Sequence, residues 1–298
     1  MTYSVFDGNR RLAEDAAAFI AAAEQSYDRQ LEEIADHIVA HRDVCPIVLI
    51  SGPSGSGKTT TALMLEHKLD RRGLQTHTLS QDNYFRTLTE ADKALLAEGK
   101  LDLESPDRVD EELLNRQLQD IIACKTVELT EFDFPTHTRR HSGKTLTRKP
   151  GEVVILEGIH TLNPHVVTLP EEQTVRLYVS VRTRVEGPDG TLLHPKYIRL
   201  LRRMQRDVEH RGRPATGTLA MFHSVNRGED TFIMPYKHRS TFDVDTFFDY
   251  ELHVYRTYLL DTLRELTHYS EVAKILPVLS AAEGLDAEAV PPTALIRE

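Results

Sequence analysis

A chain of 298 residues, 40% hydrophobic and 28% charged with few glycines and prolines, has the make-up of a globular protein holding one elaborated α/β domain or two small ones, which excludes a disordered or fibrous chain. The 36 Lys and Arg against 46 Asp and Glu leave a net charge of −10, so general binding to nucleic acid is excluded and any anion site must be a local basic patch. Two cysteines, Cys45 and Cys124, a charged N-terminal segment and no apolar run of about 18 residues argue against a disulfide framework, a signal peptide or a membrane span, and for a cytoplasmic protein.

In chain order, residues 10–42 carry Leu12, Ala16, Phe19, Ile20 and Ala23, then Leu31, Ile34, Ile38 and Val39, at spacings near 3 and 4, which predict an amphipathic helix or helix pair ended before Pro46. The uninterrupted apolar run Ile47–Ile50 reads as a buried parallel strand. A glycine-rich turn follows, then a helix over Thr59–Arg72 closed by Gly73, and a short strand over Thr76–Leu79. Leu113, Leu114, Leu118, Ile121 and Ile122 mark another helix, and Arg139–Pro150 a polar, basic hairpin or loop. Val153–Leu156 and Val175–Val179 are two more strands, and Tyr197 to Val208 is a helix that breaks at Arg211–Pro214. Strands alternating with helices imply a parallel sheet covered on both faces. The expected division is an N-terminal helical extension over 1–45, a nucleotide-binding domain over 46–260, and a weakly patterned helical tail over 261–298 that frays after Pro291 and Pro292.

Gly52-Pro53-Ser54-Gly55-Ser56-Gly57-Lys58-Thr59 fits the phosphate-loop pattern G-x-x-x-x-G-K-[ST] in full, and it lies between an apolar strand and a helix, where the mechanism needs it. Backbone N–H groups of Gly52, Ser54, Gly55, Ser56, Gly57, Lys58, Thr59 and Thr60, with the helix N-terminus, would cradle the phosphates of ATP. Lys58 would neutralise the β- and γ-phosphates, and the Thr59 hydroxyl would ligate Mg²⁺. No N-K-x-D guanine-reading motif and no L-S-G-G-Q stretch occurs, which disfavours a GTPase or a transporter ATPase. Glu157, at the end of a neighbouring strand, reads as a second metal-side carboxylate or a solvated strand-end residue. Asp82, within Ser80–Phe85 after the second strand, emerges at the ligand edge of the sheet and reads as a catalytic base or an Asx-turn residue.

These motifs, with Glu131–Arg139, Glu157-Gly158-Ile159, Arg202–Asp207 and Arg211-Gly212-Arg213 in the same order, resemble the uridine kinase branch of the phosphoribulokinase and uridine kinase family. Tyr236–Tyr258 also resembles the end of nucleoside kinases of this group. The resemblance implies a five-stranded P-loop kinase sheet, a β-hairpin forming part of the nucleoside pocket, and an arginine-rich lid. It implies an ATP- and Mg²⁺-dependent kinase that converts uridine or cytidine to the monophosphate in pyrimidine salvage. Other acceptors stay open (a purine nucleoside, ribulose phosphate or pantothenate), as does a regulatory ATPase. The implied partners are a nucleoside and a nucleoside triphosphate, with neither nucleic acid nor membrane, and a homo-oligomer is allowed.

By the same resemblance Arg206 and Arg211 join Lys58 and Asp82 in catalysis, while Tyr84, Glu104, Phe132, His137, Arg203 and Arg213 contact the acceptor. Glu104 stands where aspartate is more usual, with Asp107 as a substitute, and Phe132 stands where many members carry tyrosine. Arg199, Arg202, Arg203 and Arg206 share one helical face, which reads either as an anion site or as a solvated cationic face paired with Asp207 and Glu209.

Overall fold

The computed structural model describes residues 1–297. A short strand β1 (Thr2–Ser4) leads into α1 (Val5–Glu14) and α2 (Ala16–His41), followed by β2 (Ile47–Ser51), α3 (Lys58–Arg71) and β3 (Thr76–Ser80). Then come α4 (Glu90–Ala97), α5 (Glu111–Ile122), the hairpin β4 (Thr126–Asp133) and β5 (Thr138–Thr147), and the strands β6 (Val153–Glu157) and β7 (Thr174–Ser180). The C-terminal third holds β8 (Arg184–Glu186), β9 (Leu192–Leu193), α6 (Pro195–Arg211), α7 (Ala215–Ala220), α8 (Phe222–Gly228), β10 (Phe242–Asp245), α9 (Glu251–Glu265) and α10 (Ser270–Ala281). Among the described residues no helix is long and apolar enough to cross a membrane.

The central sheet is five-stranded and wholly parallel, in the order β10-β7-β2-β6-β3, with Leu49 beside Leu156 and Arg176. All residues of β2, β6 and β7 are buried, which explains the unbroken apolar runs of β2 and β6: both faces of the sheet are covered. Because side chains alternate along a strand, Val48, Ile50, Val153 and Ile155 enter one core while Ile47, Leu49, Val154 and Leu156 enter the other. The second core is closed by Leu114, Leu118 and Ile121 of α5.

The N-terminal helices are not set apart from this body. Asp15 breaks the predicted helical stretch in two by capping α2, its side chain accepting from the Ala18 N–H. Phe19, Ile20, Tyr27, Leu31, Ile34 and Ile38 of α2 lie in the same core as the sheet, and the Tyr27 and Thr61 hydroxyls meet at 2.6 Å. The buried amine of Lys68 on α3 is held by Asp28 and Glu32 of α2. At the other end, a boundary at residue 260 would cut α9, whose Leu259, Leu260 and Leu263 pack with Val272, Ile275 and Leu279 of α10. The end does not fray either: Ala294, Leu295 and Ile296 are buried. Packing therefore joins the three expected divisions into one continuous core, because their apolar stripes cover one another.

Replacing Leu31, which is wholly buried, with Ala should cost about 2–5 kcal/mol in urea unfolding. A chain beginning at Asp43 should not fold, since it bares the α3 and β10 surfaces that α2 covers. A loss below about 1 kcal/mol for Leu31→Ala would place α2 outside the core.

Candidate active site

The phosphate loop is shaped by two close approaches. Gly52 lies so near β7 that a Cβ would fall 1.9 Å from the Val179 carbonyl oxygen, and Gly57, at the N-cap of α3, has a left-handed φ of +88°. The loop carbonyls are tied off from behind. Arg199 donates to the Ser54 oxygen at 3.3 Å, Arg202 to the Gly55 oxygen at 3.3 Å, and the Thr246 hydroxyl to the Ser56 oxygen at 2.8 Å. A loop fixed by its carbonyls at the N-terminus of a helix is suited to hold a polyphosphate anion. Lys58 Nζ donates to the Pro53 oxygen at 3.3 Å, and the Thr59 side chain is exposed at the start of the helix.

Asp82 lies in a single 3-10 turn, Gln81–Tyr84, that follows β3. Glu157 ends the adjacent strand β6, paired in register with Ser80, so the two carboxylates emerge side by side at the carboxyl edge of the sheet. Burial and the charge of Glu157 raise the Asp82 carboxyl to about 6, against the pull of Lys58 and Arg211. Asp82 is therefore poised to change protonation near neutrality, and it stands among the groups expected at a transferred phosphate. Thr59, Glu157 and Asp82 offer hard oxygen ligands at this edge, a donor set that fits Mg²⁺ held partly by phosphate and water. Among the described residues no cluster of three or more His, Cys, Asp or Glu forms a metal cage of its own.

Glu104 sits on the loop before α5. Burial raises its carboxyl, which Arg203 and Lys58 counteract, and its Oε2 is buried without a protein hydrogen-bond partner. Burial lowers the Arg203 guanidinium to about 10, and Asp207 and Glu104 oppose that shift. Gly228 of α8 presses on the Glu104 side chain, where a Cβ would lie 2.3 Å from that of Glu104. Helix α8 thus rests directly on the Glu104 loop. The hairpin is sewn to the Asp82 turn through Asn83, whose backbone oxygen accepts from the Thr130 hydroxyl at 2.9 Å and whose Oδ1 accepts from the Phe132 N–H at 3.2 Å. Phe132 meets Phe85 and Phe134 edge-on at 5.6 and 5.3 Å, and Phe134 is 55% exposed. His137 occupies the hairpin tip with a φ of +53°, and its oxygen accepts from the Leu88 N–H.

Several expected roles are redirected. Tyr84 is 2% exposed and its hydroxyl donates to Gln117 at 2.9 Å, so it braces α5 and does not face an acceptor. Arg213 reaches Asp207 and Met221, within the lid itself. Arg211 pairs loosely with Asp207 at 3.4 Å while also acting on Asp82, and Arg206 borders the phosphate loop beside Gly55 and Gly57. Two arginines of the α6 face are already paired: Arg199 is buried against Glu229, and Arg202 makes a two-point pair with Glu251 at 2.8 and 2.9 Å. Burial alone would lower the Arg202 guanidinium, yet Glu251 beside it raises it.

The sequence reading also passed over His160, three residues beyond Glu157. It is 1% exposed, and burial lowers its imidazole to about 4 against the opposing pull of the Glu104 and Phe232 backbone, so it is neutral. Its backbone N–H donates to Gln81 next to Asp82. The one local signal was its position directly after the Glu157-Gly158-Ile159 strand end.

Glu251→Ala leaves Arg202 charged and buried, and should cost about 3–5 kcal/mol of stability in denaturant titration. A cost near zero would show that the pair is not holding the loop.

Residues 47–249 match the Phosphoribulokinase / Uridine kinase family. A relative, Uridine-cytidine kinase 2-B of Danio rerio, is 32% identical over 197 residues, covering 64% of this chain and 69% of its own. A Uridine kinase of Ligilactobacillus salivarius is 32% identical over 188 residues, covering 63% of this chain and 78% of its own. Another, of Macrococcus caseolyticus, is 34% identical over 193 residues, covering 64% and 83%. With the match running from the first strand of the central sheet to just before α9, this chain belongs to the phosphoribulokinase and uridine kinase family.

Proposed function

We propose that this chain transfers the γ-phosphoryl group of ATP to the 5′-hydroxyl of a pyrimidine ribonucleoside, uridine or cytidine, giving the monophosphate. The observation that carries the reading is the pairing of two unlike carboxylates around Lys58: Asp82, raised to about 6 beside Glu157, and Glu104, buried with an open oxygen beside Arg203. Phosphoryl transfer is mostly positioning and charge stabilisation, and it needs one group to receive the hydroxyl proton. Asp82 would receive it. Glu104 would accept hydrogen bonds from the ribose hydroxyls, and the Phe132 and Phe134 edges with His137 would border the base. Lys58, Arg206 and Arg211 would meet the phosphates, and Mg²⁺ held near Thr59 and Glu157 would neutralise their charge.

Incubation with ATP, Mg²⁺ and a panel of nucleosides and sugars tests the assignment. Phosphorylated uridine and cytidine are expected, with 2′-deoxyuridine a much poorer acceptor, because a buried carboxylate deprived of its hydroxyl is left unpaired. Product from a sugar phosphate or pantothenate alone, or only free phosphate, would overturn it. Asp82→Asn should lower turnover by roughly 10²-fold or more while sparing ATP binding.

The pH profile carries a separate sign. A base whose carboxyl titrates at about 6 is inactive when protonated, so kcat/KM should fall about tenfold per pH unit below 6 and level off above it. For folding the same shift acts the other way: raised above its ordinary value, Asp82 contributes stability at low pH that is lost as pH rises through about 6. A profile flat from pH 5 to 8 would remove Asp82 from the base role.

A further inference from the structure

The last residues of the chain return to the phosphate loop. Ala294, Leu295 and Ile296 are 5%, 4% and 6% exposed, and the Arg297 guanidinium closes the segment on itself by donating to the Ala287 and Val290 oxygens. Leu295 lies directly against Gly57: a Cβ there would fall 2.2 Å from Leu295 Cδ1. Leu295 and Ile296 border a narrow recess together with Gly55, Gly57, Arg202, Arg206 and Tyr255. Its free volume is about 20 Å³, room for about one water, so it is a packed joint and not a pocket for a purine ring. None of the acceptor-side carboxylates lines it.

Three loop carbonyls, those of Ser54, Gly55 and Ser56, are held by polar groups of α6 and of the residue after β10. Gly57 is the point where the loop turns into α3 with a left-handed φ, and the groups that hold the other three do not reach it. There the carbonyl is held from within α3 by the Thr61 N–H and hydroxyl, and the Cα side is covered by Leu295. A loop that must present several N–H groups to one anion binds weakly if its turn can relax, since each alternative conformation reduces the fraction competent to bind.

We infer that the C-terminal segment Pro291–Arg297 is a buttress of the phosphate loop, with Leu295 the residue that positions Gly57 for the polyphosphate of the donor. The inference rests on the donor half of the proposed function and is independent of which acceptor is used. It makes this segment a lever on donor affinity: whatever displaces it weakens the phosphate grip.

Calorimetric titration without acceptor tests it on the full chain, on a chain ending at Val290, and on Leu295→Ala. The ligands are ATP and inorganic tripolyphosphate. Ending the chain at Val290 should raise the Kd for both by about tenfold, the effect of about 1.4 kcal/mol of lost preorganisation, and Leu295→Ala should raise both by roughly threefold. The KM for the nucleoside should stay within about twofold, which a general loss of fold would not allow. Unchanged or tighter ATP binding in either variant overturns the inference, as does a loss confined to ATP with tripolyphosphate unaffected, which would make the segment a contact for the base. If the shortened chain does not fold, Leu295→Ala alone decides. Full-length chain that binds ATP but phosphorylates no nucleoside refutes the proposed acceptor and leaves the buttress standing; full-length chain that binds neither ligand refutes both.

Discussion

The guanidinium of Arg202 is the joint on which the nucleotide side depends. From α6 it donates to both oxygens of Glu251 at the start of α9, to the hydroxyl and oxygen of Thr246 after β10, and to the Gly55 oxygen of the phosphate loop. Four parts of the chain thus meet at one buried charge. An arginine suits this place because its planar fork keeps its charge at any working pH and satisfies several acceptors at fixed angles, where a lysine would meet them as a point. Desolvating such a pair is costly, and removing one partner is costlier still, so the joint is maintained as a unit.

Around that joint the charges divide by task. Arg199 and Arg202 pair with Glu229 and Glu251 and act through the loop they support, while Arg206 borders the loop and Arg203 and Arg211 act on the carboxylates Glu104 and Asp82. Neutral His160 lies behind Gln81 and close to the Glu104 backbone, filling the floor without adding a charge. Asp82 is raised because burial and Glu157 outweigh Lys58 and Arg211, so a phosphate or metal entering the site would change its balance directly.

The same economy explains the N-terminal helices. A P-loop sheet covered on one face by α3 alone would leave β10 and the outer side of α3 wet. Helix α2 covers both, with an apolar stripe for the core and Asp28 and Glu32 for the buried Lys68 amine, and the Gln30 side chain exchanges hydrogen bonds with the backbone of Asp245 on β10. These ion pairs are partly open to solvent at their carboxylates, so the apolar stripe contributes most of the cover.

What the sequence determined by itself was what adjacent residues decide. The phosphate loop is eight consecutive residues between a strand and a helix, and the inner strands β2 and β6 carry uninterrupted apolar runs, so both were legible from local order and period. The hairpin was legible as an interruption of that pattern, Asp82 and Glu157 from where strands end, and Glu104 only from the resemblance to the family. Tertiary structure alone decided which arginines of α6 face the loop and which are paired, because Glu229 and Glu251 come from elements whose arrival at α6 no local pattern records. It also sent Tyr84 to Gln117, joined α2 to the main core, and brought Leu295 back to Gly57 from a proline-flanked segment with little helical period. Periodicity reports that a side chain will be buried, but its partner is set by where distant elements meet in space.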